Sequence, residues 1–200
     1  MKKRPILPAG VSAVALTVVG VTAGNSFAAP APAPPAPAAA DAAAAQADGF
    51  VGGRLVVPAT LIPPAGNKLD SVFKANGVQI YGCTDAKWAL VEPAASLTGI
   101  TLKPVRRVNA IHYVGPSWQS DSDGSYVKGR SPVSAPSATP NSIAQLLVTA
   151  DITRGTGTFG GVTFIQRLAT VGGVAPATAC TAGETTSVRY TAVYRFFKAV

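Results

Sequence analysis

Val188-Arg-Tyr190-Thr-Ala192-Val-Tyr194-Arg-Phe196-Phe197 is the stretch that decides the fold class, because its side chains alternate between two faces. One face carries only apolar and aromatic residues, whereas the other mixes arginine and threonine with apolar residues. A period of two residues is typical of a β-strand with one buried face. The sequence therefore predicts a strand over residues 188–197.

Segments closer to the N-terminus predict further strands. Residues 146–152 alternate in the same way, and residues 162–168 are rich in β-forming side chains and follow two glycines. Shorter strand candidates lie at residues 78–83, 88–91, 108–114 and 126–128. Turn-forming dipeptides separate the candidates, namely Asn76-Gly77, Asp123-Gly124, Gly160-Gly161 and Gly172-Gly173.

Helical periodicity is almost absent from this part of the chain. Its one candidate, residues 141–147, gives way to strand-like alternation after one turn at most. Many short strands with glycine and proline turns are typical of a sandwich or a barrel. We therefore expect an all-β, single-domain sandwich or barrel of short antiparallel strands with Gly/Pro-rich loops.

The first 28 residues have the three parts of a secretory signal peptide. Met1-Lys-Lys-Arg4 is a basic start, residues 9–21 are mainly apolar, and Ser26-Phe-Ala28 offers small residues for cleavage after Ala28. A retained anchor is the alternative, but spanning a bilayer takes about 20 predominantly apolar residues. We expect cleavage, and therefore a secreted, extracellular protein with no transmembrane segment in its mature form.

Residues 29–48 are rich in alanine and proline. The prolines favour an extended conformation, and the alanine-rich second half shows no apolar pattern for docking. We expect a disordered spacer at 29–48 and an all-β secreted domain at 49–200. A domain of about 150 residues buries roughly two-thirds of the surface of its unfolded chain, so its folding requires no metal or oligomer.

The formal net charge of the chain is +8, and it falls to +5 if Lys2, Lys3 and Arg4 leave with the signal peptide. The remaining basic residues are scattered, and only Arg106 and Arg107 are adjacent. Nucleic-acid binding needs a dense basic patch, so we expect no nucleic-acid partner. A mild positive charge favours solubility and attraction to anionic surfaces, such as those of a cell envelope.

Cys83 and Cys180 are the only cysteines. An even number of cysteines in an exported chain favours a disulfide. Metal binding would need more cysteine or histidine ligands than these two and His112 provide, and the two cysteines are not in a C-x-x-C redox arrangement. We therefore expect a structural Cys83–Cys180 disulfide and no metal site.

Gly155-Thr-Gly157-Thr-Phe-Gly160 matches the dinucleotide-binding pattern G-x-G-x-x-G. That pattern works only when a helix begins at its last glycine and directs backbone N–H groups at the pyrophosphate. The residues that follow Gly160 are strand-like, and only 40 residues remain. We therefore interpret the pattern as a glycine-rich hairpin loop and expect no cofactor.

His112, the only histidine, is the candidate for acid–base catalysis. Asp121 and Asp123 follow within 12 residues, after a Gly-Pro turn that could bring the carboxylates back to the imidazole. The alternative is a buried structural histidine that shares a strand face with Val108 and Ala110. The two aspartates could also form a calcium loop, but the later glutamate of such a loop is missing, and a turn at Asp123-Gly124 is simpler.

Tyr113, Trp118 and Trp88 are the candidates for ligand binding. Large aromatic side chains offer a flat apolar face to a sugar or a peptide, and a polar edge for orientation. The same side chains also fill hydrophobic cores, so each tryptophan has a core residue as its alternative assignment.

These residues belong to a longer succession of motifs. It comprises Tyr81-Gly-Cys83, Trp88, Pro93-Ala-x-x-Leu97, His112-x-x-Gly115-Pro-x-Trp118, Asp123-Gly-Ser125-x-Val127-x-Gly129, Leu146-Leu147, Gly155-x-Gly157-x-Phe159, Ile165-Gln-Arg167-x-x-Thr170-x-Gly172-Gly-x-Ala175-Pro176, Cys180 and Tyr190-Thr-Ala192-x-Tyr194. The succession resembles domain-of-unknown-function family 3455, which groups secreted proteins of bacteria and filamentous fungi. The resemblance covers about residues 50–197, and it implies export and one compact domain but no established activity. One departure is a slightly longer turn over residues 119–123.

Three functions are compatible with these observations. The first is a disulfide-stabilised β domain that binds a glycan or small molecule at or outside the cell envelope. The second is an extracellular hydrolase that uses His112 as general acid or base. The third is a structural surface-interaction protein without a pocket.

Overall fold

The computed structural model describes residues 39–200. The predicted signal peptide and the part of the predicted spacer before residue 39 lie outside the described residues. Eight antiparallel strands follow one another in chain order around a closed barrel, and the last strand pairs with the first. The all-β fold class is confirmed, and the architecture is a barrel in which each strand pairs with its neighbours in sequence.

The strands are β1 (Asn67–Thr84), β2 (Lys87–Leu102), β3 (Val105–Tyr113), β4 (Ser117–Ser120), β5 (Tyr126–Ala135), β6 (Gln145–Arg154), β7 (Val162–Gly172) and β8 (Thr185–Ala199). One α-helix, α1 (Ala39–Val51), and one 3-10 turn, Ala59–Leu61, precede them. The stretch at 188–197 lies within β8, and the other predicted strand segments coincide with parts of β1, β2, β3, β5, β6 and β7. Strand β4 was not predicted, because four residues are too few to show a period.

The turn predicted at Asn76-Gly77 is wrong, because both residues lie inside β1. Gly77 pairs with Ala95 of β2, and a Cβ atom at Gly77 would overlap the backbone of Ala94 and Ala95. The glycine therefore permits a close approach of two long strands rather than a reversal of the chain. The result is a single hairpin in which β1 and β2 are both much longer than expected.

The interior of the barrel is filled by side chains. An eight-stranded barrel is just wide enough for its inward-facing residues to pack against each other. The inner cluster consists of buried residues from all strands and from the β6–β7 loop, namely Phe73, Ala75, Leu97, Val108, Ala110, Trp118, Val127, Val148, Phe159, Val162, Ile165, Tyr190, Ala192, Tyr194 and Phe196. The apolar face of residues 188–197 thus faces the interior.

Helix α1 covers part of the outer surface. Ala43 and Ala47, which lie one turn apart, are buried against Val72, Leu102 and Val193 on the outer face of the barrel. We expected no docking pattern and no order in this alanine-rich part of the spacer, but small side chains let a helix approach a sheet closely. Among residues 39–200, no helix is both long enough and apolar enough to cross a membrane.

The two ends of the barrel are closed in different ways. The end that holds the β1–β2, β3–β4, β5–β6 and β7–β8 connections is called here the disulfide end, because Cys83 of β1 is bonded to Cys180 in the β7–β8 connection. The opposite end is called the Asp123 end, because Asp123 in the β4–β5 connection binds Thr158 in the β6–β7 loop. The predicted Cys83–Cys180 disulfide is confirmed.

Candidate functional site

His112 lies inside the barrel on β3, and its side chain is only 3% exposed. The strand register places it opposite Trp118 of β4, and the two rings stack with centroids 4.4 Å apart and an interplanar angle of 2°. Its Nδ1 lies 2.8 Å from the carbonyl oxygen of Ser117. Because a carbonyl oxygen can only accept a hydrogen bond, this contact assigns the proton of the neutral ring to Nδ1.

Burial lowers the pKa of His112 to about 4. The hydrogen bond to Ser117 acts in the opposite direction, and the charge of Arg167 lowers the pKa further. Desolvation dominates because the charged imidazolium has lost its water and faces aromatic rings instead. His112 is therefore neutral at physiological pH and is held as a structural part of the interior.

The buried histidine makes stability depend on pH. Between pH 6.5 and about 4 the unfolded chain binds a proton at His112 that the folded protein rejects. The contribution of neutral His112 to stability is thus fully present above pH 6.5 and is lost as the pH falls towards 4. The free energy of unfolding should fall by about 3 kcal/mol over this range. Urea unfolding of the wild type and of His112→Gln from pH 7 to pH 4 measures it.

In this experiment the free energy of unfolding of the His112→Gln variant is expected to change less between pH 7 and pH 4 than that of the wild type. This expectation holds whatever the stability of the variant at pH 7. His112 is the only histidine, so the difference between the two profiles reports the protonation of this one side chain. Parallel profiles for the two proteins would show that His112 titrates normally in the folded state.

Asp121 and Asp123 do not approach His112. The backbone N–H of Asp121 donates to the carbonyl oxygen of Asn109, three residues before His112 on β3, a separation of about 10 Å at the rise of a β-strand. Asp121 is exposed. The predicted grouping of imidazole and carboxylates is therefore absent from residues 39–200, because the turn extends towards the Asp123 end.

Asp123 holds two loops together. Its carboxylate accepts hydrogen bonds from the backbone N–H and hydroxyl of Ser125 and from those of Thr158, the latter at 2.9 and 2.8 Å. Partial burial raises the pKa of Asp123, but these hydrogen bonds outweigh that effect and hold it well below its usual range. The Ser125 hydroxyl also accepts from the N–H of Phe159, whose ring fills the Asp123 end of the interior. The motif Asp123-Gly-Ser125 therefore has a structural use.

Trp118 is 1% exposed and belongs to the inner cluster. Its ring contacts Tyr194 and Phe196 edge-on, at centroid distances of 5.6 and 5.8 Å, in addition to the stack on His112. The structure thus places Trp118 in the core, where it presents no face to solvent.

Trp88 is partly exposed and lies at the disulfide end. It pairs with Cys83 across the β1–β2 hairpin, and its Nε1 donates to the carbonyl oxygen of Thr178, 3.1 Å away. Thr178 is two residues from Cys180, so the tryptophan and the disulfide hold the same β7–β8 connection against the hairpin. Within residues 39–200, no three His, Cys, Asp or Glu side chains lie close enough together to hold a metal ion.

Tyr113 lies on the outer face of the barrel, on the opposite side of the wall from Trp118. The register that pairs His112 with Trp118 pairs Tyr113 with Ser117, and neighbouring residues of a strand point to opposite faces. The structure therefore separates the three aromatic candidates: Trp118 is inside, Trp88 is at the disulfide end, and Tyr113 is on the outer wall.

Tyr113 has an aromatic partner that the sequence did not suggest. The ring of Tyr126 lies 6.4 Å from that of Tyr113, and the guanidinium of Arg154 lies 5.8 Å from the centre of the Tyr126 ring. The Tyr113 hydroxyl is 3.4 Å from Oε1 of Gln119, and the Tyr126 hydroxyl is 2.9 Å from Oγ of Ser117. We call Tyr113, Gln119, Tyr126 and Arg154 the tyrosine face.

The tyrosine face combines partly exposed rings with polar groups. Burial raises the pKa of Tyr113, and the neighbouring Tyr126 raises it further while the charge of Arg154 lowers it. The Tyr113 hydroxyl therefore stays protonated at neutral pH and can donate or accept a hydrogen bond. Tyr126, Gln119 and Arg154 were not predicted, because the pairing of β3, β4, β5 and β6 brings them together.

Comparison with known proteins gives one match. Residues 64–198, which contain β1 to β7 and all of β8 except its last residue, match the family described as "Protein of unknown function (DUF3455)". No curated protein and no solved structure matches the chain. The match spans well over half of the chain and agrees with the motif resemblance. The chain therefore belongs to the DUF3455 family, whose function is unknown.

Proposed function

We propose that the chain is a glycan-binding domain that works at or outside the cell envelope and uses the tyrosine face. The observation that carries this proposal is the partly exposed Tyr113–Tyr126 pair on the outer wall, 6.4 Å from ring to ring. The proposal has three supports, which are the disulfide, the aromatic surface and the local charge.

The disulfide supports a location outside the cytoplasm. Disulfides persist in oxidising compartments and are rare where thiols are kept reduced. The Cys83–Cys180 bond agrees with the predicted signal peptide at residues 1–28, which would export the chain.

The aromatic surface supports a sugar ligand. The face of a tyrosine ring is electron-rich, and the C–H groups of a sugar ring carry small positive charges that can lie against it. Tyrosine also gives rigid contact area at a low cost in conformational entropy. The amide of Gln119 and the two hydroxyls surround the rings and can bind sugar hydroxyl groups.

The local charge favours a glycan that carries acidic groups. Arg154 lies beside the Tyr126 ring, and Lys128 pairs with Ser117 on the same outer face. Among the described residues, the ion pairs involve Arg130, Arg195 and Lys198, so Arg154 and Lys128 have no carboxylate within ion-pair distance. A carboxylate on the ligand would complement both charges.

Binding to three probes tests the proposal: insoluble peptidoglycan, polygalacturonate as a soluble acidic glycan, and amylose as a neutral glycan. We expect saturable binding to an acidic probe, which weakens as salt is added. Tyr113→Ala and Tyr126→Ala should each weaken it about tenfold, the effect of losing one stacking contact worth about 1.4 kcal/mol.

Matched variants separate a binding defect from unfolding. Tyr113→Phe and Tyr126→Phe keep the rings and should retain most of the affinity, whereas Trp88→Ala removes an aromatic ring elsewhere and should leave binding unchanged. Absence of binding to all three probes would overturn the glycan proposal and favour a structural surface role. Binding that survives both alanine substitutions would exclude the tyrosine face as its location.

The hydrolase alternative has less support. A general base must titrate near the working pH and reach the substrate. His112 is buried, has a pKa of about 4 and has no carboxylate partner among residues 39–200. No specific observation favours catalysis at this position.

A further inference from the structure

A cleft of about 470 Å³ lies on the outside of the barrel, at the Asp123 end and beside helix α1. Its walls come from α1, from the start of β1, from the β2–β3 turn and from the residue that follows β8. The described lining residues are Ala43, Asn67, Lys68, Leu69, Asp70, Lys103 and Val200. Pockets that bind small molecules typically measure about 300–1,000 Å³, so this cleft has room for a ligand.

The surface of the cleft is mainly aliphatic. Leu69 is half-buried and packs against the outer cluster that contains Ala43, Val72 and Leu102. Val200 is 86% exposed and adds alkyl surface beside the opening. The described lining residues include no aromatic ring. An alkyl chain lying in the cleft would remove these side chains from water, which favours binding.

Two polar side chains of the cleft already have partners within the protein. The carboxylate of Asp70 forms an ion pair with Lys198, at 3.3 Å. The amide of Asn67 donates to the carbonyl oxygen of Pro64, at 2.9 Å, and its oxygen accepts from the Thr163 hydroxyl, at 2.6 Å. These groups are therefore satisfied and need no ligand.

The two lysines of the cleft are different. Lys68 and Lys103 are exposed, and neither has a carboxylate within ion-pair distance among the described side chains. They lie on separate elements, β1 and the β2–β3 turn, and both line the same cleft. A lysine can rest its alkyl stem on an apolar surface while its ammonium group stays in water. The cleft thus combines an aliphatic surface with two cations.

We propose that this cleft binds a fatty acid. The alkyl chain would lie along Leu69 and Ala43, and the carboxylate would bind the ammonium groups of Lys68 and Lys103. A neutral alkyl ligand would leave both cations without a partner, and a short acid would leave the aliphatic surface exposed to water. Both parts of a fatty acid are therefore needed for tight binding.

Isothermal titration calorimetry at low salt tests the proposal with three probes: decanoate, decanol as a neutral ligand with the same chain, and butyrate as a short acid. We expect decanoate to bind saturably, with one molecule per chain. Decanol should bind about tenfold more weakly, the effect of losing the charged contacts, and butyrate should give no measurable binding.

Variants of the lysines assign the carboxylate. Lys68→Gln and Lys103→Gln should each weaken decanoate binding severalfold and leave decanol binding unchanged. Lys87→Gln is the matched control, because it makes the same change of net charge in the β1–β2 hairpin at the disulfide end and should have no effect.

Variants of the aliphatic surface assign the alkyl chain. Leu69→Gln should weaken the binding of decanoate and decanol alike. Val200→Glu adds a carboxylate at a highly exposed position, where it leaves the packing intact, and it should weaken decanoate binding through repulsion. Circular dichroism and the melting temperature show whether each variant is folded.

Any of three results would overturn the proposal: no saturable binding of decanoate, equal affinities for decanoate and decanol, or equal losses in Lys103→Gln and Lys87→Gln. The cleft and the tyrosine face share no residue, so the two proposals stand or fall separately. Tyr126→Ala, for example, should leave decanoate binding unchanged.

Discussion

Removal of the Cys83–Cys180 disulfide is expected to lower the free energy of unfolding by about 4–5 kcal/mol. The bond joins residues 97 positions apart, and a crosslink that closes so long a loop removes much of the conformational freedom of the unfolded chain. For a chain of this size each kcal/mol corresponds to about 2–4 °C, so the melting temperature should fall by roughly 8–20 °C.

The disulfide also supports hydrogen bonds of the folded state. The N–H of Cys83 donates to the carbonyl oxygen of Glu184 at 2.8 Å, and Trp88 donates to Thr178 in the same β7–β8 connection. The Tyr81 hydroxyl donates to the carbonyl oxygen of Gly173 at 2.6 Å, where that connection begins. These hydrogen bonds keep the connection in register only while it stays close to the hairpin, and the disulfide ensures that it does.

The measurement compares the wild type with the double variant Cys83→Ser/Cys180→Ser, each with and without reductant. Reductant should lower the melting temperature of the wild type to near that of the double variant, and it should leave the double variant unchanged. A wild type whose melting temperature does not respond to complete reduction would show that the crosslink contributes little stability.

The all-β fold class could be predicted from the sequence because the alternation of side chains along a strand matches the alternation of buried and exposed faces in the structure. The alternation from Val188 to Phe197 reports directly that one side of β8 faces the interior. Closure into a barrel did not follow, because it depends on the pairing of β1 with β8 across more than 100 residues. Asn76-Gly77 shows the same limit, since a glycine that permits close packing and a glycine that makes a turn look alike in sequence.

Helix α1 was missed for a related reason. Ala43 and Ala47 carry no apolar signal beyond that of the surrounding alanines, yet both are buried. Only small side chains fit here because the helix lies close to the sheet. The distance between helix and sheet is determined by the assembled barrel and cannot be read from the helix sequence. The ion pair of Asp48 with Arg195, at 2.8 Å, likewise joins the helix to a strand far away in sequence.

The candidate site was predictable only in part. Tyr113 and Trp118 were both identified as aromatic candidates, but which face of the wall each occupies depends on the register of β3 with β4. Chemistry that depends on contacts between distant segments cannot be read from the residues of one segment.

Trp118→Ala is expected to lower the free energy of unfolding by about 3–5 kcal/mol, the usual effect of truncating a large buried aromatic side chain. The substitution would leave a cavity beside His112, Tyr194 and Phe196, all of which contact the indole ring. These neighbours belong to the closed wall of the barrel, so they can move little to fill the space.

Urea unfolding of Trp118→Ala, Trp118→Phe and Trp88→Ala measures the effect. Trp118→Phe keeps a ring in the interior and should recover much of the stability, whereas Trp88→Ala truncates a partly exposed ring and should cost less than half as much as Trp118→Ala. Equal losses at the two tryptophans would contradict the burial of Trp118.

The size of this effect decides how binding must be studied. A ligand-binding assay on Trp118→Ala would report unfolding rather than the loss of a contact, because the indole ring supports the inner cluster. Tyr113 and Tyr126 are partly exposed and stand outside that cluster, so their substitution changes the surface while the interior stays packed. The proposed glycan-binding function therefore depends on measurements at the tyrosine face, and Trp118 serves as the control for stability.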